Sequence, residues 1–243
     1  STDEKWLVPH FEKMLYDNGQ LLEVYARAHE LAPHVSRDLH WPDLLKQTAN
    51  YVLREMVDES GAFWSAQDAE VDALEGGNYV WTAEQLLHAC GDARLAELAS
   101  ELYGVNLGTN FKDPHAPSAQ PVNVLYQPDR LSDVAARRKT SVEKLLAQKA
   151  QIDQRMLDER NKRKQPGTDD KVLTSWNGMV IAGLARAAGA LREPALQQAA
   201  SRAASAVLTK MSNDDGGLLR TMRKAQARIP GFLEDYEIGR AHV

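Results

Sequence analysis

The sequence predicts a mainly α-helical protein, a helical toroid or solenoid with short β-hairpin or loop excursions. Three observations carry that reading. Apolar residues recur at helical spacing in segments bounded by capping residues, prolines and glycines. A unit also recurs: Met56-Val57-Asp58-Glu59-Ser60-Gly61-Ala62-Phe63 closes one helix, and Met211-Ser212-Asn213-Asp214-Asp215-Gly216-Gly217-Leu218 closes another. Lys13-Met14-Leu15 and Lys171-Val172-Leu173 likewise each precede a helix that opens a pair. Inner helix, outer helix and glycine turn in repetition is what a toroid or solenoid requires. Finally, no strand-like run is long enough for a parallel sheet.

The first helix is expected from Phe11 to Leu31, with Leu15, Leu22, Tyr25, Ala26 and Leu31 at mostly helical spacing. Pro33 ends it, because a proline inside would remove a backbone donor and clash with the preceding turn. Asp43 to Met56 reads as a second helix, closed by the turn Asp58-Glu59-Ser60-Gly61. Residues 61–79, rich in Gly, Asp and aromatics, predict a short hairpin or an ordered loop. Thr82 opens the next helix, since Thr82-Ala83-Glu84-Gln85 sets a carboxamide three residues after a capping hydroxyl. Ala93 to Leu102 is a further short helix. The Pro- and Gly-dense segment Gly104 to Leu131 is the longest non-helical stretch, of the kind that often lies over sites. Ser141 to Lys164 predicts a long polar helix. Trp176 to Leu191 and Pro194 to Met211 predict an antiparallel pair around Arg192-Glu193.

At 243 residues the chain can bury a real core, and 43% hydrophobic with 26% charged residues is ordinary for a globular protein. A formal charge of −5 argues against nucleic-acid binding, which needs clustered Lys and Arg. The one basic run, Arg160-Asn161-Lys162-Arg163-Lys164, reads as a solvated helix end. Cys90 is the only cysteine, so the chain has no internal disulfide or cysteine zinc cage, and its helical setting predicts a small buried hydrophobe. No leader is legible, and the longest apolar stretch, Met179 to Leu191, is too short to span a bilayer. The expectation is a cytoplasmic protein with neither nucleic-acid nor membrane partners.

Three stretches concentrate titratable and aromatic residues at helix starts: Trp6 to Asn18, Asp169 to Asn177, and Gly231 to Tyr236. They are expected to converge on one pocket. His10 can serve as a general acid or base, because imidazole titrates near neutrality; it can equally hydrogen-bond a neighbouring loop. Asp17, Asp170, Glu234 and Asp235 are the carboxylates placed to share a cavity, and paired acids can protonate a leaving oxygen and activate water. Any one of them can instead be a helix-start acid favoured by the dipole. Tyr16, Trp81, Trp176 and Tyr236 can wall a sugar-like site or lie in the core. Lys13 and Lys171 can bind an anion or merely hold carboxylates. The remaining histidines lack metal-ligand spacing, so neither a metal site nor a cofactor is expected.

Six motifs occur in order: W-x-V-P-H-F-E-K-M-L-Y-D-N, F-x-S-A-x-D-A, Y-V-W-T, N-V-L, D-D-K-x-L-T-S-W-N-G and L-E-D-Y. Through them the sequence resembles the thioredoxin-domain-containing proteins related to spermatogenesis-associated protein twenty. The resemblance runs from Trp6 to Tyr236. It implies an N-terminal thioredoxin-like domain, absent from this chain, followed by a six-hairpin α/α toroid similar to sugar epimerases and six-hairpin glycosidases, of which this chain is a part. The sequence departs from the pattern at Gln67 and at Gly77-Asn78. By resemblance, His10, Glu12, Lys13, Asp17, Asn18, Asp68, Asp170, Lys171, Trp176, Asn177, Glu234 and Asp235 lie near the toroid's cavity.

The functional expectation is a carbohydrate- or polyol-related enzyme domain acting by epimerisation or hydrolysis on a sugar-like small molecule. His10, Glu12, Asp17, Asp170, Glu234 and Asp235 would be catalytic. Lys13, Tyr16, Asn18, Asp68, Trp81, Lys171, Trp176, Asn177 and Tyr236 would bind substrate. The alternative is a non-catalytic ligand-binding or scaffold domain serving the thioredoxin-like domain. Because a partial toroid leaves raw apolar faces, the chain alone is expected to be aggregation-prone or loosely packed.

The end of the chain is expected to be foreign. Residues 1–236 read as a toroid fragment, whereas Glu237-Ile238-Gly239-Arg240-Ala241-His242-Val243 is what the sequencing adapter GATCGGAAGAGCACACGTC encodes when preceded by GA. Gly239 is expected to break a helix there, at about 1 kcal/mol relative to alanine. His242 is excluded from any site on this reading, and re-amplifying the locus from source DNA tests it.

Overall fold

A computed structural model describes residues 3–240. The elements are β1 (Lys13–Met14), α1 (Leu15–Leu31), α2 (Pro33–Asp38), α3 (Trp41–Glu55), β2 (Ala66–Gln67), β3 (Glu70–Val71), β4 (Leu74–Glu75), α4 (Ala83–Cys90), α5 (Ala93–Leu102), α6 (Leu131–Arg137), α7 (Val142–Asn161), β5 (Thr168–Asp169), β6 (Val172–Leu173), α8 (Thr174–Leu191), α9 (Pro194–Lys210), β7 (Leu219–Arg223), β8 (Gln226–Pro230) and α10 (Leu233–Arg240). The protein is therefore mostly helical with small sheets. It divides into two compact units, Ser1–Glu12 with Asp68–Gly167, and Lys13–Gln67 with Thr168–Val243.

The second unit is built from a repeat. Helices α1 and α8 run parallel: Tyr16 meets Trp176 near their starts, and further along Gly19 lies against Met179 and Val180 and Gly183 against Gly19 and Leu22. Small residues at these crossings let the two backbones approach. Each helix is followed by a returning partner, α3 after α1 and α9 after α8, and Leu22, Leu45, Val52, Phe63, Val180 and Leu184 form their shared core. The two closing turns have the same hydrogen bonds. Trp64 N–H donates to the Met56 carbonyl at 2.8 Å and Leu219 N–H to the Met211 carbonyl at 2.7 Å. The Asp58 amide reaches the Ala62 carbonyl, and the Asn213 amide the Gly217 carbonyl, both at 2.8 Å. Both turns need a left-handed residue at the same place, supplied by Gly61 (φ +91°) and Gly216 (φ +78°). Each turn then feeds a strand that pairs antiparallel with the strand opening its own helix, Lys13 with Gln67 and Val172 with Met222. The sheets are β1-β2-β5 and β6-β7-β8.

The first unit has its own core, with Trp81, Leu86, Cys90, Leu102, Leu145 and Ile152 buried among α4, α5, α6 and α7. The Thr82–Gln85 capping box opens α4 as the sequence predicts. Asp92 caps α5 through the Leu95 amide, and Ser141 caps α7 through the Lys144 amide. β3 and β4 form the expected short hairpin.

Several expectations are corrected. The first helix begins at Leu15, because Lys13 and Met14 are committed to β2 pairing. Leu31 lies off the buried face at 85% exposure. α3 starts two residues early at Trp41, with Pro42 in its first turn. α2, α6 and the β7–β8 hairpin add elements that periodicity did not reveal. Gly239 does not break α10, which runs to Arg240; residues 241–243, including His242, lie outside the described residues. The basic run is not merely solvated. Arg163 stacks over Trp81 at 3.9 Å from the ring centroid and donates to the carbonyls of Asn78 and Val80, which bury it against the first unit.

Candidate functional site

The N-terminal ends of α1 and α8 lie side by side in the second unit, so two sets of unsatisfied helix amides point the same way. Tyr16 and Trp176 mark this mouth, their rings edge to face at 4.8 Å and 66°. α10 starts beside α8, and its third residue, Asp235, is buried. Asp235 accepts from the Ser175 amide of α8 at 3.1 Å and from the Phe232 amide just before its own helix at 2.9 Å, with the Arg220 guanidinium at 3.5 Å. It thus caps two helices at once.

Most of the other polar candidates here also have structural partners. Asn177, fully buried, accepts from the Phe63 amide at 2.8 Å and donates to the Phe63 and Leu173 carbonyls at 3.0 Å. That clamp ties the closing turn of the first repeat to the helix opening the second. Asn18 donates to the Met14 carbonyl at 2.8 Å. Tyr236 accepts from the Leu218 amide at 2.9 Å. Glu234 pairs with Arg220 at 2.5 Å, and Asp170 pairs with Arg223. Lys171 lies 3.0 Å from Asp169. Burial alone would raise the Asp169 carboxyl, but the Lys171 side chain and amide hold it below the usual carboxylate range.

Asp17 differs. It is the third residue of α1, the place Asp235 holds in α10, yet its carboxylate has no ion pair or hydrogen bond among the described residues. Desolvation raises its carboxyl above the ordinary value of 3.8. Lys13, on β1, precedes it by one helical turn and is half-buried.

His10, Glu12, Asp68 and Trp81 belong to the first unit. His10 Nδ1 lies 3.9 Å from Glu12, both exposed. Asp68 accepts from the Glu70 amide as a turn-former, 3.2 Å away. Trp81 is only 3% exposed and one face carries Arg163, so its ring has no open face for a sugar. Of the fifteen candidates, then, the second unit brings Lys13, Tyr16, Asp17, Asn18, Trp176 and Asn177 together around two adjacent helix starts, with Asp235 beside them.

Sequence reasoning missed the cations Arg220 and Arg223, which lie on β7 and neutralise Glu234 and Asp170. It also missed a cavity of about 340 Å³ in the second unit, reaching from the first closing turn to the β7–β8 hairpin. Among the described residues no group of three or more His, Cys, Asp or Glu could hold a metal ion, and no helix is long and apolar enough to cross a membrane.

The fold and the site define a repeat-built, largely helical protein whose paired helix starts each bear an aromatic, with an acid on α1. Over nearly its whole length the chain is a homologue of spermatogenesis-associated protein 20. It is 31% identical to the mouse protein and 32% to the human one over 261 residues, which is 97% of this chain. The chain spans about a third of the length of those curated relatives. No protein-family model matches. Among solved structures, the cellobiose 2-epimerase of Bacillus thermoamylovorans B4167 is similar at a TM-score of 0.25 and 12% identity, covering 90% of this chain and 66% of that one. A likeness that slight carries no argument.

Proposed function

We propose that this chain is part of an α/α toroid whose paired helix starts form an acid–base site for a carbohydrate or polyol, with Asp17 as the proton-transferring group. The repeat supports the toroid: α1 and α8 would be successive inner helices, α3 and α9 their outer partners, and α10 the start of a third inner helix. The observation that carries the site is Asp17 itself. Among the candidate carboxylates of its unit it alone lacks a cation or amide partner, and desolvation favours its protonated form. A carboxyl tuned upward can hold and release a proton nearer neutrality than an ordinary one. Tyr16 and Trp176 supply aromatic surface beside it, the kind that packs on the C–H faces of a sugar ring.

A second reading, a ligand-binding or scaffold domain serving a thioredoxin-like domain, is favoured by one observation. Asp235, at the equivalent helical place, is a cap for the preceding helix, and Asp17 would do the same for a helix of a preceding repeat. A thermal-shift screen of sugars and polyols, run on the chain and on Asp17→Asn and His10→Ala, separates the two. A sugar-induced shift, with turnover lost in Asp17→Asn while the shift remains, supports the enzyme. A shift without turnover in any variant supports the binding domain.

A further inference from the structure

We propose that the face of α1 turned away from α8 is a docking surface for another inner helix of the same repeat, carried by the part of the longer protein that this chain does not span. The inference rests on the toroid reading above and names the partner which that reading requires. The repeat fixes which residues of the two helices correspond. Asn18 donates to the Met14 carbonyl and Asn177 to the Leu173 carbonyl, in each case the residue just before the helix. Lys13 and Val172 hold the same place in the strands that open the two helices. Leu21, Val24, Ala28 and Leu31 of α1 therefore correspond to Val180, Gly183, Ala187 and Ala190 of α8. In α8 that stripe makes the joint with the repeat before it. Val180 lies against Gly19, Gly183 lies against Gly19 and Leu22, and Ala187 belongs to their shared core. Val180 and Ala187 are fully buried, whereas in α1 Leu21 is 43% exposed, Val24 58% and Leu31 85%.

The solvent side of a surface helix is normally polar, but here apolar residues recur at spacings of three and four along one continuous seam. The returning helices agree. Met56 and Met211 hold the same place in the two closing turns, so Leu44 of α3 corresponds to Ala199 of α9. Ala199 is buried in the shared core, and Leu44 is 39% exposed. The first repeat thus leaves bare, on both of its helices, the face by which the second repeat is joined to it. In a second copy of this chain the complementary Gly19–Leu22 face is already filled by that copy's own α8. The chain spans about a third of its curated relatives, so the remainder has room for further repeats. Val24 stands where α8 has Gly183, so the partner helix must carry a small residue opposite it or cross at a wider spacing. Asp17 heads the same stripe, and the docked helix would begin beside it.

The test compares thiol accessibility in this 243-residue chain and in the full-length gene product. Val24→Cys and Leu31→Cys probe the face, and Ser201→Cys, at an exposed position of α9, is the control. Reaction with a charged maleimide is followed by mass spectrometry, which reads each site apart from Cys90, over a dilution series. A melting curve for each variant checks that it is folded. The expected result is that both face positions react at least tenfold more slowly in the full-length protein than in the chain, with Ser201→Cys unchanged. The protection should persist in an Asp17→Asn background and without any sugar, so failure of the acid–base reading leaves this result intact. Equal rates in the two proteins, or slowing shared by Ser201→Cys, would overturn the proposal. So would protection in the 243-residue chain that grows with its concentration, since a second copy would then cover the face.

Discussion

Gly183 of α8 is packed against the backbone of Gly19 in α1: a Cβ on Gly183 would stand 2.6 Å from the Gly19 carbonyl oxygen and 2.8 Å from Leu22 Cβ. The obstacle is main chain in a neighbouring helix, so it cannot swing aside. Gly183→Ala should lower stability by about 1–3 kcal/mol despite alanine's better helix propensity. Gly189 in the same helix is the control, since a Cβ there would meet nothing within 4 Å. Gly189→Ala should raise stability by about 0.5–1 kcal/mol. Urea unfolding of the two variants should move the midpoint in opposite directions.

Arg163 joins α7's end to the segment before α4 through the Trp81 ring and two carbonyls. Lysine cannot reproduce a planar fork that stacks and donates at once. Arg163→Ala should cost about 2–4 kcal/mol, and Arg163→Lys should recover less than half of that. Denaturation of the first unit, followed by far-UV circular dichroism and tryptophan emission, measures both.

Glu101 sits between Arg137 and Arg138, with contacts of 2.9 Å and 2.5 Å. Burial alone would raise its carboxyl, but the hydrogen bonds from Arg138 and Arg137 outweigh burial and hold it below the ordinary 4.5. Its stabilisation is therefore present above the unfolded value and is lost as pH falls through the lower folded one. Glu101→Gln should cost about 1 kcal/mol at neutral pH. The melting temperatures of parent and variant should converge on acidification.

Asp17 has the opposite sign. Its folded carboxyl lies above 3.8 through desolvation, so its contribution is present below the unfolded value and disappears as pH rises through the folded one. Asp17→Asn should flatten that step and leave neutral-pH stability equal or higher. Direct titration of the Asp17 carboxyl by NMR provides the decisive reading, and a value at or below the ordinary one would remove the basis for its acid–base role.

Local signals were enough where structure is local. The segment read as a short helix, Ala93–Leu102, is α5 with those bounds, and the repeated glycine turns announced the repeat that the hydrogen bonds bear out. The start of α1 was not readable, because Phe11 looks periodic while Lys13 and Met14 answer to residues 66 and 67 across the fold. The β7–β8 hairpin was hidden for a chemical reason. Its two-residue turn, Lys224-Ala225, is left-handed at both positions without the Gly or Asn that normally marks such a turn. At the candidate site the acids were visible as types, but what each acid does depends on distant cations. Asp170 answers to Arg223 and Glu234 to Arg220, whereas Asp17 has no such partner among the described residues.

Cys90 closes the first unit's α4 with its side chain fully buried, and burial pushes its thiol upward. Being the chain's one sulfhydryl, it makes alkylation a clock for that unit alone. Its modification rate in a mild excess of reagent reports how often α4 opens from its neighbours. The opening of that unit can thus be timed in the intact chain without introducing a label.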